Sequence, residues 1–383
     1  MRKWTKAPLL WLLLIFMTFS ACRTQPDASP NNDQDASENR GGAVMVYARE
    51  QYRYALQQAF SHLSLSESEL RIFWTGDPEL ADVLITDNIS QQQLQNFRPI
   101  DTERLTLKGI EALALCDNRG VIALPLFLRL DGFWYDEQLY TNRELTAPQS
   151  MNSWQMDPLL EDCPAVWDPE DADKLFWGVI APYYLNAGGE LQALSSGQMR
   201  PEPLQAALER TLKLVQNSLL TESNQAQQSF INQKSGIWLA GNDQLAASYH
   251  SMSNLSSWRI SGSLSFAAQE RACCVVRADV VAVKKGADKE LTDRFLSLFY
   301  NAQTVSDLSV SLRMPAACQI HYTPAVVPEL NQICYTLLSS PAMDVHYSCT
   351  YWPASRQAQV EKILVALMRS ELTVQEAVNQ ICQ

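Results

Sequence analysis

The first 42 residues fix where a folded core can begin. Arg2, Lys3 and Lys6 lead into an apolar run from Ala7 to Ala21, and Phe19-Ser20-Ala21 ends directly on Cys22. A positive start, a short apolar stretch and small residues before a cut form the pattern of an export signal. The run falls short of the roughly 20 residues that span a hydrocarbon core, so a cleaved signal over 1–21 is expected in place of a transmembrane helix. A cysteine directly after the small pair is the expected acceptor of a diacylglyceryl group, which makes Cys22 the lipid-bearing mature terminus. Residues 23–42 carry no large apolar side chain and are rich in Asp, Asn, Ser, Pro and Gly. Such a segment buries too little surface to fold and reads, as 22–42, as a lipid-anchored flexible linker. Every strand and helix of a core must therefore come from 43–383.

That remainder is long for one ordinary core and fits two domains of common size. It holds no second long apolar stretch, so nothing else is expected to cross a membrane. The formal net charge of the whole chain is -12, and loss of Arg2, Lys3 and Lys6 with the signal moves it to -15. So acidic a chain is a poor partner for nucleic acid or for an anionic bilayer surface; small solutes, neutral or cationic, suit it better. With Cys22 set aside, eight cysteines remain, an even number that permits disulfides without assigning them. Cys334 and Cys349 form a plausible local pair, whereas adjacent Cys273 and Cys274 are too close along the chain for a normal bridge. Cys318-Gln-Ile-His321 has a metal-like spacing but no second close pair, so a structural role is the expectation and no metal or cofactor is assigned.

The periodicity is mixed α/β. Val44 to Ala48, Leu70 to Trp74 and Asp82 to Thr86 read as short strands, with a helix of apolar period three and four between the first two and another starting in Asn88 to Asn96. Such alternation implies parallel pairing and a covered sheet. Gly120 to Leu128 and Gly132 to Tyr135 are β-like around a proline. Leu204 to Leu219 is an amphipathic helix, Cys274 to Lys284 a strand and Asp288 to Tyr300 a helix. Val360 to Leu367 forms one helical stripe, and Thr373-Val-Gln-Glu376 is a capping box before a last helix.

Several segments resemble, in order, the extracellular solute-binding proteins of ABC importers, in particular maltodextrin- and oligosaccharide-binding proteins. These are Ala81 to Asp87, Gly120 to Pro125 with Phe133 to Tyr140, Ser235 to Gly241, Val281 to Leu296, Met314-Pro315-Ala316 and Leu372 to Ile381. The resemblance implies an α/β, two-lobed periplasmic-binding-protein-like fold (type II) with a ligand cleft between lobes joined by a hinge. Lobe 1 would take 43–130 plus about 278–325, and lobe 2 would take 131–277 plus about 326–383. It implies a monomer that closes on a small solute, a mono- or oligosaccharide, and delivers it to ABC permease subunits from the outer face of the cytoplasmic membrane or the periplasm. A sensor or adaptor lipoprotein without transport is the alternative, and an anchored glycoside-processing enzyme a more distant one.

A sugar cleft calls for aromatic faces against the ring and charged planar groups for its hydroxyls. Carried over by position, the polar candidates are Glu50, Asp87, Asn88, Arg129 and Asp131, and the aromatic ones Trp177, Tyr183 and Trp352. Asp87 has an alternative role as a helix cap. Trp238, inside an apolar strand, is expected in the core, whereas Trp352 beside Pro353 reads as a loop residue with an exposed ring. No Gly-x-Ser-x-Gly, His-Glu-x-x-His, phosphate loop or Cys-x-x-Cys occurs, the four histidines are scattered, and Asp171-Ala-Asp173 reads as a solvated loop.

Overall fold

Two long strands organise the fold. β5 runs from Gly120 to Asp136 and β10 from Ala272 to Val283, paired antiparallel between Ala123–Leu130 and Val276–Ala282. The computed structural model describes residues 42–383 apart from 50–52, 55, 58–69, 88, 106–112, 216–217, 221–224, 249–256, 265–269, 319–327 and 349–351. Of the helix expected after the first strand only 53, 54, 56 and 57 are described, and these are helical; Cys349, His321, the signal and the linker up to residue 41 lie outside the described residues.

At one end of the long pair, β1 (Ala43–Ala48) pairs in parallel with β2 (Arg71–Thr75) and β3 (Val83–Thr86), and β3 pairs antiparallel with β10. At the other end, β8 (Ile237–Gly241) and β9 (Trp258–Ser261) flank β5, β6 (Ala165–Trp167) lies between β8 and β7 (Ser218–Leu220), and β11 (Met343–Tyr347) pairs with β10. β4 (Leu115–Asp117) folds back on the start of β5. The parallel pairing expected from the alternation of the first strands with helices holds for β1 with β2 and β3, while the sheet as a whole is mixed: the chain passes from one lobe to the other along β5 and returns along β10, and two opposite passages side by side are antiparallel.

β5 is one strand where the sequence reads as two. Pro125 has no N–H for the ladder, so it sits at a bulge in which Val280 pairs with Pro125 and Asp279 with Phe127. The carbonyl groups freed there find other donors, Tyr300 Oη to Pro125 at 2.7 Å and Ala317 N–H to Leu126 at 2.8 Å.

The first lobe is packed around Val46, Ile85, Leu124, Val281, Phe295 and Val305. In the second, alternate residues serve opposite faces of the sheet. Phe133, Ile237 and Leu239 meet the helices Pro201–Val215, Ala354–Met368 and Val374–Ile381, while Trp134, Trp238 and Ala240 meet Trp258 and the helix Glu329–Leu338. The last two helices form as the stripe and the capping box predict, with Thr373 accepting from the Glu376 N–H at 3.3 Å. Seven cysteines in the described residues, Cys273, Cys274 and Cys334 among them, are free thiols.

Trp238 is in the core, 2% exposed, as its strand predicts. Trp352 is there too, also 2% exposed, which corrects the expectation of an open loop ring. Its indole packs against Phe176 and Trp177 with centroids 5.0 and 5.6 Å away, and its N–H donates to the Leu194 carbonyl at 2.7 Å. The proline beside it marks only the entry of the next helix. Trp352→Ala should thus cost about 3 to 5 kcal/mol of stability, while Leu80→Ala, at a side chain 54% exposed, should change it by less than about 0.5 kcal/mol. Urea unfolding of the two variants measures both.

Candidate functional site: a charged crossing between the lobes

Both crossing strands carry the same short pattern in the middle of apolar sequence, Arg129-Leu-Asp131 on β5 and Arg277-Ala-Asp279 on β10. The register sets Arg129 directly opposite Arg277. Two like charges in that position repel, and each is answered by the aspartate two residues along the other strand. Arg277 donates to Asp131 at 2.6 Å, and Arg129 lies 3.6 Å from Asp279. All four are buried, and a buried cation is tolerated only when so paired.

Strand ends from both lobes complete the group. From the end of β3, Asp87 accepts from Arg129 at 2.9 Å and also pairs with Arg49 at the end of β1. From the end of β8, Asp243 accepts from the other terminal nitrogen of Arg129 at 3.0 Å. Lys174 lies 3.1 Å from Asp173, 3.8 Å from Asp243 and 3.9 Å from Asp131. One guanidinium thus holds a carboxylate of each lobe. Asn242 fixes its position, since its side chain accepts from the Leu130 N–H and donates to the Leu128 carbonyl, both at 3.0 Å, in place of a neighbouring strand.

Lys174 reaches the crossing because the helical run Ala172–Asn186 lies directly on β5. A Cβ at Gly178 would stand 2.8 Å from the Asp131 and Gly132 backbone, so only glycine permits that approach. The turn around it, Phe176–Ile180, is a π-helix, which accommodates Pro182 and its missing N–H.

Burial would raise the Asp87 carboxyl, yet Arg129, Arg49 and Arg277 outweigh it and hold Asp87 below the usual range. Asp243 is likewise driven down, Lys174 and Arg129 overcoming burial. Lys174 stays a cation because Asp243, Asp173 and Asp131 outweigh its own burial. Asp171 moves the other way: burial, with Asp173 and Asp168 nearby, pushes it up to about 6, although the Gln244 amide donates to it at 2.7 Å.

A cavity of about 640 Å³ lies between the lobes, bounded by Gln91 and Gln95 on one side and Gln192, Ser195 and Ser196 on the other. Its second wall is tied to β10 through Ser195 and Ser348, 3.1 Å apart, and the Ser348 N–H to Val276 at 2.8 Å. Asp117, Arg119 and Lys285 line it as well, and none of the charged residues of the crossing does.

Of the residues singled out from sequence, Asp87, Arg129 and Asp131 come together here. Asp87 is not a helix cap: Ser90 caps the helix Gln91–Leu94. Glu50 and Asn88 lie outside the described residues. Trp177 borders the crossing, but its face is covered by Arg277 at 4.8 Å from the ring centroid. Tyr183 and Trp352 are buried in the second lobe's core. Asp171 and Asp173, expected as a solvated loop, are instead drawn against Lys174 and Gln244. Lys174, Asn242, Asp243, Arg277 and Asp279 were missed, although the repeated Arg-x-Asp inside two apolar strands is a visible signal for the last two.

Two α/β lobes joined by antiparallel crossing strands, with strand ends converging on the crossing, make this the two-lobed solute-binding fold. Solved structures agree. The chain is similar to a chitin oligosaccharide binding protein, with TM-score 0.74 and 11% identity over 90% of this chain and 98% of that one. It is similar to the GacH receptor of Streptomyces glaucescens, solved unliganded and with acarbose, with TM-score 0.69 and 12% identity over 89% and 97%. A sugar transporter protein of Bacillus licheniformis in complex with stachyose gives TM-score 0.65 and 13% identity over 89% and 98%. By sequence, no family model and no curated protein matches the chain.

Asp171 yields a pH test. Its folded carboxyl, raised to about 6, binds a proton more readily than the unfolded one, so its contribution favours folding at low pH and is lost as pH rises from about 4 to 6. Relative to Asp171→Asn, the natural chain should lose stability across that window, and carbon NMR should show one aspartate titrating near pH 6 that the variant lacks. A midpoint near 4 would contradict the buried placement.

Proposed function

We propose that this chain is the extracytoplasmic solute-binding subunit of an ABC importer, anchored through a lipid on Cys22, that captures a carbohydrate between its lobes and passes it to the permease. The observation that carries this reading is the crossing itself: β5 and β10 pair where side chains from the ends of β3 and β8 and from β10 meet Arg129. A solute that touches both sides stabilises the closed arrangement by its differential affinity, which is all the mechanism requires. The likeness to oligosaccharide-binding proteins over about nine-tenths of the chain supports a sugar. Among the described residues no helix is long and apolar enough to cross a membrane, and a lipid at Cys22 supplies the attachment.

The lobes divide as 43–130 with about 278–325, and 131–277 with about 326–383. The protein acts as a monomer, without chemistry on its solute and without nucleic acid. A screen of mono- and oligosaccharides, amino acids, polyamines and metals by melting temperature tests the reading. At a hundred times its dissociation constant, a sugar should add about 2.7 kcal/mol and raise the melting temperature. A shift with amino acids or polyamines alone would reject the carbohydrate, and turnover of a glycoside would reject the binding-protein class.

A further inference from the structure

The cavity between the lobes stands apart from the charged crossing. Its rim includes Asn118 and Arg119, in the turn before β5, and Lys285, just past the end of β10. Arg129 lies far along β5 from that turn, roughly 30 Å at ~3.3 Å of rise per residue. The two walls are anchored in different cores: Leu94 of one belongs with Leu84 and Ile122, and Leu194 of the other with Trp177 and Trp352.

Both walls are held from behind. Arg119 donates to the Leu94 carbonyl at 2.8 Å and to the Phe97 carbonyl at 3.0 Å, which ties the turn to the helix Gln91–Leu94. On the other side the Leu194 carbonyl accepts from Trp352, and Ser195 meets Ser348. A cavity of about 640 Å³ is in the range that small ligands fill, and walls fixed beforehand lower the ordering cost of binding.

The lining limits what the cavity takes. Its carboxylate, Asp117, accepts from Arg119 at 2.9 and 2.5 Å, so those two charges answer each other. Lys285 remains, an exposed cation on a flexible stem. The other polar side chains are amides and hydroxyls. Gln91 and Gln95 stand one helical turn apart on one wall, and Gln192 and Ser196 repeat that spacing on the helix Leu191–Ser196 opposite. Among the described residues, the side-chain amides of Gln91, Gln95, Asn118 and Gln192 have no hydrogen-bond partner within the chain. Each amide offers two donor hydrogens and an acceptor oxygen. Amides converging on one space from two walls match a molecule covered with hydroxyls, and Leu94 adds apolar surface for ring carbons.

We propose that this cavity is a second ligand site, for a neutral polyhydroxylated molecule such as a mono- or disaccharide, held by the amides of Gln91, Gln95, Asn118 and Gln192. It is independent of solute capture at the crossing. A ligand there joins the two walls, so it favours the arrangement that keeps them at this spacing.

Cys116 is a local reporter, since it is exposed and lines the cavity, whereas Cys163, Cys273, Cys274, Cys318 and Cys334 are buried. The full chain is alkylated with iodoacetamide at about pH 9, because burial and Asp117 push the Cys116 thiol up, and the sites are read by peptide mass spectrometry. Glucose, galactose, maltose and raffinose are the probes, with glucuronate as the anionic comparison. Protection of Cys116 should saturate, reaching about tenfold slower reaction at ten times the dissociation constant, while Cys382 reacts as before. Gln95→Ala and Gln192→Ala together, one from each wall, should raise the sugar concentration required about tenfold and leave the melting temperature near that of the natural chain. Asp243→Asn, at the crossing, should leave the protection intact. Absence of protection by every neutral probe, or protection lost in Asp243→Asn and kept in the glutamine variant, overturns the site; a sugar that still raises the melting temperature leaves capture at the crossing standing. Stronger protection by glucuronate than by glucose overturns the neutral assignment.

Discussion

The reciprocal pairing of Arg129 with Asp279 and of Arg277 with Asp131 is the constraint on which the rest depends. Two arginines face each other across adjacent strands in a place water hardly reaches. Without their aspartates the crossing strands would repel where the lobes must be joined. Removal of one partner from such a buried pair typically costs about 3 to 5 kcal/mol because the other charge is stranded. The antiparallel register is therefore fixed by charge as well as by hydrogen bonding: a slip of one residue would turn these side chains to the opposite face.

From that knot the surrounding features follow. The bulge at Pro125 lies just before it and shifts the register so that Asp279 falls opposite Phe127, two residues from Arg129. Gly178 lets a helix approach close enough to bring in Lys174. Asn242 substitutes for a missing strand and leaves Asp243 beside the guanidinium. Each element does something modest on its own, yet together they set strand ends of both lobes against one another, the condition for a solute to bridge them.

Much of this was legible in the sequence. The strands, the late helices and the capping box follow from period and local chemistry, and their order carried the family resemblance. Asp87, Arg129 and Asp131 follow from the resemblance by position, after the third strand and at the first crossover. The rest needed tertiary pairing. Lys174 and Asp243 sit in unremarkable polar segments, and only the packing of Gly178 and the clamp by Asn242 bring them in. Trp352 shows the opposite failure: a tryptophan beside a proline has the composition of a loop, and the Leu194 carbonyl and the neighbouring rings that bury it are more than 150 positions away.

The central claim is that solute is held at this crossing by both lobes at once. Hydrogen exchange of the backbone amides, with and without a saccharide that stabilises the protein, tests it most directly. The account predicts slower exchange on binding in the segments that carry Asp87, Asp173 and Asp243 together. Protection confined to one lobe, or to helices remote from the crossing, would contradict it.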